Sequence, residues 1–571
     1  MIFQLRWLWW AIAAVALCWS LYQAGIGQPG ANIINWGGRR QLAEFWWAAL
    51  SPELTPDFLR TIGQATVVTF AYAVCGTVLS VGLGFVGGVL SSCTWWRTVF
   101  PTTAKHAWVG RSLRLAVRGV LSVPRAIHEL IWGLIFLNIF GLDPLVAVLA
   151  IAIPFGAIVS KVLSEILDET PQEPLQVLLN SGASPAAAWL YGLLPQALPN
   201  LLSYTFYRFE CSLRAAAVMG VIGAGGLGYE ILLSLQSLRY HQLWTGFYAL
   251  IVLNGAVDMW SAWVRRRMGF TSRLDINARK STETSSYSSS GGAGLRTVRT
   301  LDWKLRLSWG LTVLAIPLCF VGLGIEWQRL WSERSRSLLA DVVADSVPHW
   351  PGWDGARYLL ELSGQTVAMS VVAIALAGIG GILLSFPAAH TFLLPGGWLR
   401  PVGQRVRWPI WEKGLLILSR LVLLVSRAIP APIWALVLLY VLFPGILPGA
   451  LALAAHNFGI LGRLMAEVNE NLDDRPVRSL HALGASSGQV ILYGVLPQNM
   501  GRFLAYILYR WDVCMRETVI VGLVGAGGLG RLMNEQLSSF DYGSLTVTLG
   551  CFVVLTFVVD IVSQRMRVAF R

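Results

Sequence analysis

The chain has 571 residues, and only 13% of them are charged, against roughly 25% in a typical soluble protein. Apolar residues make up 55%, the mean hydropathy is +0.59, and 26 residues are Trp, a side chain that collects where a membrane meets water. These figures exclude an ordinary multidomain soluble protein, and the excess of 13 positive charges then points to basic cytoplasmic loops rather than to nucleic acid.

A crossing helix needs about 20 mostly apolar residues. Met1 to Trp10 offers a basic residue and then an apolar run, with no small-x-small cleavage site, so a retained first span is expected over Trp7 to Ala24. Thr66 to Leu90 is the second. Ala116 to Pro124 then leads into a hairpin of Ile131 to Phe140 and Leu145 to Ser160, turning at Gly141-Leu142-Asp143-Pro144. Ala215 to Gly228 and Gly246 to Val264 complete six crossings. The series repeats as Leu307 to Ile325, Thr366 to Phe386, a pair within Leu421 to Leu464, Thr518 to Gly530 and Leu545 to Ile561. The expected fold is an all-α integral membrane protein of about 12 transmembrane helices.

Loop charge tests that count independently. With a cytoplasmic N-terminus, Thr94 to Arg118 is cytoplasmic and carries Arg97, Lys105, Arg111, Arg114 and Arg118 with no acid. Arg265 to Arg306 has ten basic and three acidic residues, whereas the outer stretch Gly25 to Gly63 balances three Arg against three acids and Glu326 to Glu361 has four Arg against six acids. The positive-inside rule is obeyed, which puts both termini in the cytoplasm. No basic stretch is interleaved with exposed aromatics, so no nucleic-acid partner is expected.

The two halves repeat each other at an offset of 302 residues. Tyr191-Gly-Leu-Leu-Pro-Gln196 recurs as Tyr493-Gly-Val-Leu-Pro-Gln498, Gly182-Ala-Ser184 as Gly484-Ala-Ser486, Arg125-Ala-Ile127 as Arg427-Ala-Ile429, and Gly223 to Gly228 as Gly525 to Gly530. An even number of crossings per repeat makes the repeats parallel, so equivalent loops face one compartment. The first repeat is assigned to 1–265 with a core of about 60–265, the second to 306–571 with a core of about 365–571. Between them, 266–305 is a basic cytoplasmic linker whose Ser281 to Gly294 reads as a flexible tether.

After the fourth span of each repeat comes a polar stretch of about 40 residues in which Gly182 precedes Pro195, and Gly484 precedes Pro497, by thirteen positions. This spacing resembles the cytoplasmic loop of ABC-importer permeases. RAIHELIWGLIF (Arg125 to Phe136), SKVLSEILD (Ser160 to Asp168), LYGLLPQALPNLLSYTFYRFE (Leu190 to Glu210) and VIGAGGLG (Val221 to Gly228) narrow the likeness to the phosphonate-type permeases, with two copies fused in one chain. It covers roughly residues 60 to 265 and 365 to 571.

The resemblance implies the type I ABC importer permease fold in a bacterial inner membrane, two copies of an ABC ATPase and an extracytoplasmic substrate-binding protein as partners, and transport of phosphonate or a related small phosphorus oxyanion. It assigns the ATPase-coupling elbows to Gly182, Ala183, Ser184, Leu194 and Pro195 and to Gly484, Ala485, Ser486, Leu496 and Pro497. ATP and Mg are used by the partner ATPase, and no cofactor is expected on this chain, which lacks G-x-x-x-x-G-K-[ST] and is not expected to be an enzyme. Two departures bear on symmetry. The acidic residue that opens the family motif is Gln176 in one half and Arg478 in the other, and Glu129 corresponds to Ala431.

Gly223-x-Gly225-x-x-Gly228 and its copy satisfy the dinucleotide fingerprint literally, but that fingerprint requires a preceding strand and a following helix within a parallel-sheet unit, and these glycines sit in a predicted membrane segment. Close helix packing, or a break lining the pathway, fits better, and Gly223, Gly225, Gly226, Gly525, Gly527 and Gly528 are candidate pathway residues. Arg208, Glu210 and Arg214 recur as Arg510, Asp512 and Arg516. An ion-pair network, with Glu210 and Arg214 at i,i+4, is one reading; Arg214 and Arg516 drawing an oxyanion through the pore is the other. Asp258 and Asp560, seven residues before Arg265 and Arg567, read as anchors sharing a helix face with them. The seven Cys form no C-x-x-C pair and read as packing residues, and His128 and His241 lack ligand spacing, so no metal is expected. The main rivals are an ion-coupled secondary transporter, which would carry ionisable residues deep in its spans, and an ABC permease for methionine or phosphate; a membrane enzyme would need a polar catalytic cluster.

Overall fold

The computed structural model describes residues 2–28, 33–100, 104–268, 303–393, 409–473 and 475–570. The tether expected over 281–294 lies outside the described residues. Among them the chain is helical, with one isolated β-bridge, Ile34 to Leu442.

The first half runs α1 (Ile2–Gln23), α2 (Arg39–Ala48), α3 (Pro56–Ser91), α4 (Cys93–Val99), α5 (Ala104–Ala126), α6 (Glu129–Phe140), α7 (Pro144–Glu169), α8 (Glu173–Asn180), α9 (Pro185–Ala188), α10 (Leu194–Val221), α11 (Leu227–Gln236) and α12 (Tyr240–Arg267). The second half contributes α13 (Trp303–Gly322), α14 (Gly352–Ala388), α15 (Pro409–Ala428), α16 (Ala431–Leu438), α17 (Ile446–Glu470), α18 (Arg475–Ala482), α19 (Leu496–Val521), α20 (Gly528–Ser538) and α21 (Tyr542–Phe570).

Among the described residues six helices are long and apolar enough to cross a membrane: α3, α7, α12, α13, α14 and α21. Two bent pairs, α5 with α6 at 85° and α15 with α16 at 94°, raise the number to eight, against the twelve crossings expected. The twelve expected crossings also include α1, α10, α17 and α19, which are not among the eight. At 1.5 Å per residue the 12 residues of α6 reach about 18 Å, short of a hydrocarbon core of about 30 Å. The expected crossing Ala215 to Gly228 is the polar-headed end of α10 followed by a turn, because Arg208, Glu210 and Arg214 interrupt its apolar run. The expected hairpin corner is present: Gly141 has φ +73°, Asp143 Oδ1 accepts from Leu145 N–H at 2.7 Å, and Pro144 occupies the first turn of α7.

The chain forms two compact units, one of residues 1–54, 232–251 and 336–571, the other of 55–231 and 252–335. They do not follow the repeat boundaries at 265 and 306, because the first helix and outer loop of each half belong with the other half's core. In the first unit α1 packs on α14, and Asn35 N–H donates to Val441 O at 2.7 Å. In the second unit α13 packs on α3, and Arg329 ion-pairs with Asp143 at 3.3 Å and with Glu326 at 2.8 Å. The hydrogen bond from Arg329 holds the Glu326 carboxyl below the usual carboxylate range.

Each unit is centred on one long helix pair, α3 with α7 and α14 with α17. Small residues make the close approach possible. A Cβ at Gly84 would overlap Val159, and one at Gly88 would overlap Leu163; in the other pair a Cβ at Gly381 would lie 3.2 Å from Gly462 N.

Candidate functional site

The elbow of the first repeat is built from the end of α8 to the start of α10. Gly182 has φ +86°, where an L side chain is strained. Its N–H donates to Leu179 O at 3.0 Å while Ala183 N–H donates to Leu178 O at 3.0 Å, the two bonds of a Schellman cap. Ser184 Oγ then accepts from Ala187 N–H at 3.3 Å to start α9. One wide π-turn, Trp189–Leu193, joins α9 to α10, and Pro195 sits in the first turn of α10 where its missing N–H costs nothing. A Cβ at Gly192 would lie 3.1 Å from Leu175 Cα, so the turn is seated directly on α8.

The second elbow repeats the construction. Gly484 has φ +80°, its N–H donates to His481 O and Ala485 N–H to Leu480 O, both at 3.0 Å. Ser486 N–H donates to Gln489 Oε1 at 2.8 Å, a π-turn covers Val490–Val495, and Leu496 and Pro497 open α19. In both elbows one face is buried while equivalent apolar side chains point out: Tyr191 is 74% and Tyr493 69% exposed, and Leu190 and Leu492 are exposed beside them. Large apolar groups left exposed at matching positions are what a docking face presents. The two elbows differ in charge: α8 carries one acid, Glu173, and α18 carries Arg475, Arg478 and His481.

A carboxylate at the end of α7 and of α17 caps or pairs with the segment that follows the long helix before it, and sequence reasoning missed both. Asp168, at the end of α7, accepts from Ser92 Oγ (2.6 Å), Cys93 N–H (3.0 Å), Thr94 N–H (2.9 Å) and Thr94 Oγ (3.0 Å), capping α4. Glu470, its counterpart 302 residues on, accepts from His390 N–H at 3.1 Å and from Arg420. The recurrence of an acid at the repeat offset was the available signal. Asp168→Ala is expected to cost about 2 kcal/mol, read as faster proteolysis within Cys93 to Val99 and unchanged cutting elsewhere.

The repeated glycine segment is a break. α10 ends at Val221, Gly223, Gly225 and Gly226 take φ of +91°, +87° and +76°, and α11 starts at Leu227. The first turn of α11 returns against the last turn of α10: a Cβ at Gly220 would lie 2.5 Å from Tyr229 N, and one at Gly228 would overlap Ala217 O. The turn is tied to α3, where Thr69 Oγ accepts from Leu227 N–H at 2.8 Å and Tyr72 OH donates to Ala224 O at 2.6 Å. In the second repeat Gly525, Gly527 and Gly528 have φ of +96°, +81° and +71°, and Thr366 Oγ accepts from Leu529 N–H at 3.0 Å. Three residues after the capping threonine, where the first repeat has Tyr72, the second has Met369. The threonines escaped sequence reasoning because nothing in an apolar run marks one hydroxyl as a cap.

The charged cluster on α10 and α19 is asymmetric. Glu210 accepts from Ser261 Oγ at 2.6 Å and from Arg265 at 3.3 Å, both on α12, and not from Arg214 as its i,i+4 spacing suggested. Arg214 donates to Cys211 Sγ at 3.4 Å. Arg516 does bind Asp512, one turn away. Arg265 is therefore engaged by Glu210 rather than by a partner on its own helix, and Arg567 lies over the Tyr509 ring at 5.9 Å. Arg510 meets Glu517 Oε1 at 2.6 Å and Asn457 Oδ1, and Asn457 Nδ2 donates to Glu517 Oε2 at 3.0 Å, a closed triad. Arg208, its counterpart, has no such partners.

The chain is similar to the phosphate-import permease protein PhnE of Mycolicibacterium smegmatis, 27% identical over 510 residues, covering 88% of this chain and 84% of the relative. It is similar to a putative phosphite transport system permease protein, HtxC, of Stutzerimonas stutzeri, 28% identical over 43% of this chain and 78% of the relative. A putative cryptic phosphonate transport system permease protein of Escherichia coli, PhnE2, is 38% identical over 21% of this chain and 98% of its own length. The family described as binding-protein-dependent transport system inner membrane component matches residues 100–270 and 415–568. These segments make up more than half of the chain and fall one in each repeat, and the chain belongs to that family of membrane transport components.

Proposed function

We propose that this permease carries a small phosphorus oxyanion, phosphate, phosphite or a phosphonate, inward through the membrane. In this reading separate ABC ATPases dock on the elbows at Gly182 and Gly484, a binding protein delivers substrate from outside, and both chain termini are cytoplasmic. The substrate class is supported by what the relatives' names say those proteins carry. The observation that carries the coupling role is the elbow itself, built twice with the same Schellman glycine, π-turn and outward-facing Leu-Tyr pair. An energy source fits the substrate: a dianion moving inward against 100 mV faces roughly 4.6 kcal/mol before any concentration gradient.

The test is reconstitution of the chain with its ATPase and binding protein in vesicles, followed by uptake of labelled phosphate, phosphite and methylphosphonate. ATP-dependent uptake of at least one is expected, and uptake of none of them rejects the substrate class. Gly182→Ala with Gly484→Ala forces two alanines into left-handed backbone at about 1–2 kcal/mol each. A Cβ at either position would meet no atom within 4 Å, so the cost is conformational and confined to the elbows. The expected result is at least a fivefold loss of copurifying ATPase with the melting temperature of the membrane chain nearly unchanged. Retention of the full ATPase complement rejects the coupling role.

A further inference from the structure

We propose that Arg208, in the first repeat alone, is a binding contact for the transported oxyanion. The inference rests on the substrate class proposed above and assigns a specific residue to it. Arg208 is 7% exposed, its guanidinium carbon lies 3.9 Å from the centroid of the Phe155 ring, and its buried Nε and Nη2 have no hydrogen-bond partner among the described residues. Stacking on an aromatic face holds the guanidinium plane while leaving its N–H edge free for a bidentate acceptor.

The other repeat shows what a purely structural arginine requires at this position. Arg510 is closed by Asn457 and Glu517, and the residues at those two places in the first repeat are Phe155 and Ala215. A second donor is open in the same way. Trp132 Nε1, on α6 against α10, is buried with no partner among the described residues, whereas its counterpart Trp434 donates to Ser426 O at 3.3 Å.

Arg208 donates only and is a cation, so a ligand that satisfies its open edge accepts hydrogen bonds there and is negative. Glu129 is the carboxylate whose charge acts on Arg208, yet it lies beyond ion-pair distance, with its Oε2 3.2 Å from His128 Nδ1. Its field moderates the cost of an empty site without filling the guanidinium edge. An unpaired buried cation is costly, and an oxyanion arriving there removes that cost.

The test uses the complete transporter in vesicles of phosphatidylcholine alone, with phosphate, phosphite and methylphosphonate as probes. Arg208→Met is expected to reduce uptake at least tenfold while keeping the wild-type melting temperature and the binding-protein-stimulated ATPase rate; Arg208→Lys is expected to retain an intermediate rate. The double variant Phe155→Asn with Ala215→Glu leaves Arg208 in place and gives it the partners of Arg510, so the same loss is expected there by neutralisation. This arm decides the matter if Arg208→Met does not fold. Wild-type uptake in either Arg208→Met or the double variant overturns the inference and leaves the substrate class standing. Absence of uptake by the wild-type chain overturns the substrate class, and the inference with it. A dependence on Arg208 that appears only when anionic lipid is added identifies a lipid phosphate as the ligand and also overturns it.

Discussion

Arg510→Met is expected to lower the thermal midpoint of the purified chain by several degrees, the largest effect of any single charge removal in α19. Arg510 and Glu517 are each 13% exposed, and with Asn457 they satisfy one another on three sides. Removing the cation leaves Glu517 buried beside an amide that can donate only part of what a carboxylate accepts. Breaking a buried pair by deleting one partner costs about 3–5 kcal/mol. Adding Glu517→Gln removes the stranded charge, and the double variant is expected to regain most of the loss. A differential scanning measurement on the two variants checks both statements. A midpoint for Arg510→Met equal to wild type would mean that water reaches the triad and solvates the carboxylate left behind. The same change at Arg208 strands no carboxylate within ion-pair distance, so an identical substitution is expected to lower the midpoint in the second repeat and leave it unchanged in the first.

That asymmetry was invisible in the repeat alone. Arg208 and Arg510 align at the 302-residue offset and look equivalent; the difference lies in Phe155 against Asn457 and Ala215 against Glu517, residues that only the fold brings to the guanidinium. The elbows were more legible. Gly182 and Gly484 stand thirteen residues before a proline in both repeats, and a glycine held at one place before a broken helix is the mark of a left-handed cap. The crossings were legible where apolarity is sustained, as over Thr66 to Leu90 in α3, whereas the bend between α5 and α6 was not. Hydropathy measures whether a segment can sit in lipid and is blind to an 85° bend. The exchange of α1 and α13 between the halves had no local signal. Both are apolar nearly all round, and such a helix does not declare which core it will cover.

Gly228→Ala is the second large effect, and its size follows from backbone rather than side-chain contact. The new methyl would overlap Ala217 O, with Ala217 C at 2.9 Å and Gly220 Cα at 3.1 Å, so no rotamer change can relieve it. Relief requires α11 to move away from α10. That motion would stretch the bond from Leu227 N–H to Thr69 and the bond from Tyr72 OH to Ala224 O, which hold the turn on α3. Overpacking commonly costs 1–3 kcal/mol, and with the lost cap about 3 kcal/mol or more is expected. Gly530→Ala meets Val519 O at 2.5 Å and Val519 Cα at 2.8 Å and is expected to behave alike. Gly223→Ala is the discriminating control: its nearest neighbour is Leu142 Cδ2 at 3.5 Å, and the cost is the left-handed backbone at φ +91°, about 1–2 kcal/mol. Size-exclusion profiles and thermal midpoints of the three variants should therefore rank Gly223→Ala as the mildest. If Gly228→Ala proves no worse than Gly223→Ala, the two helices are not in backbone contact, and the glycines are conformational joints rather than a close seam.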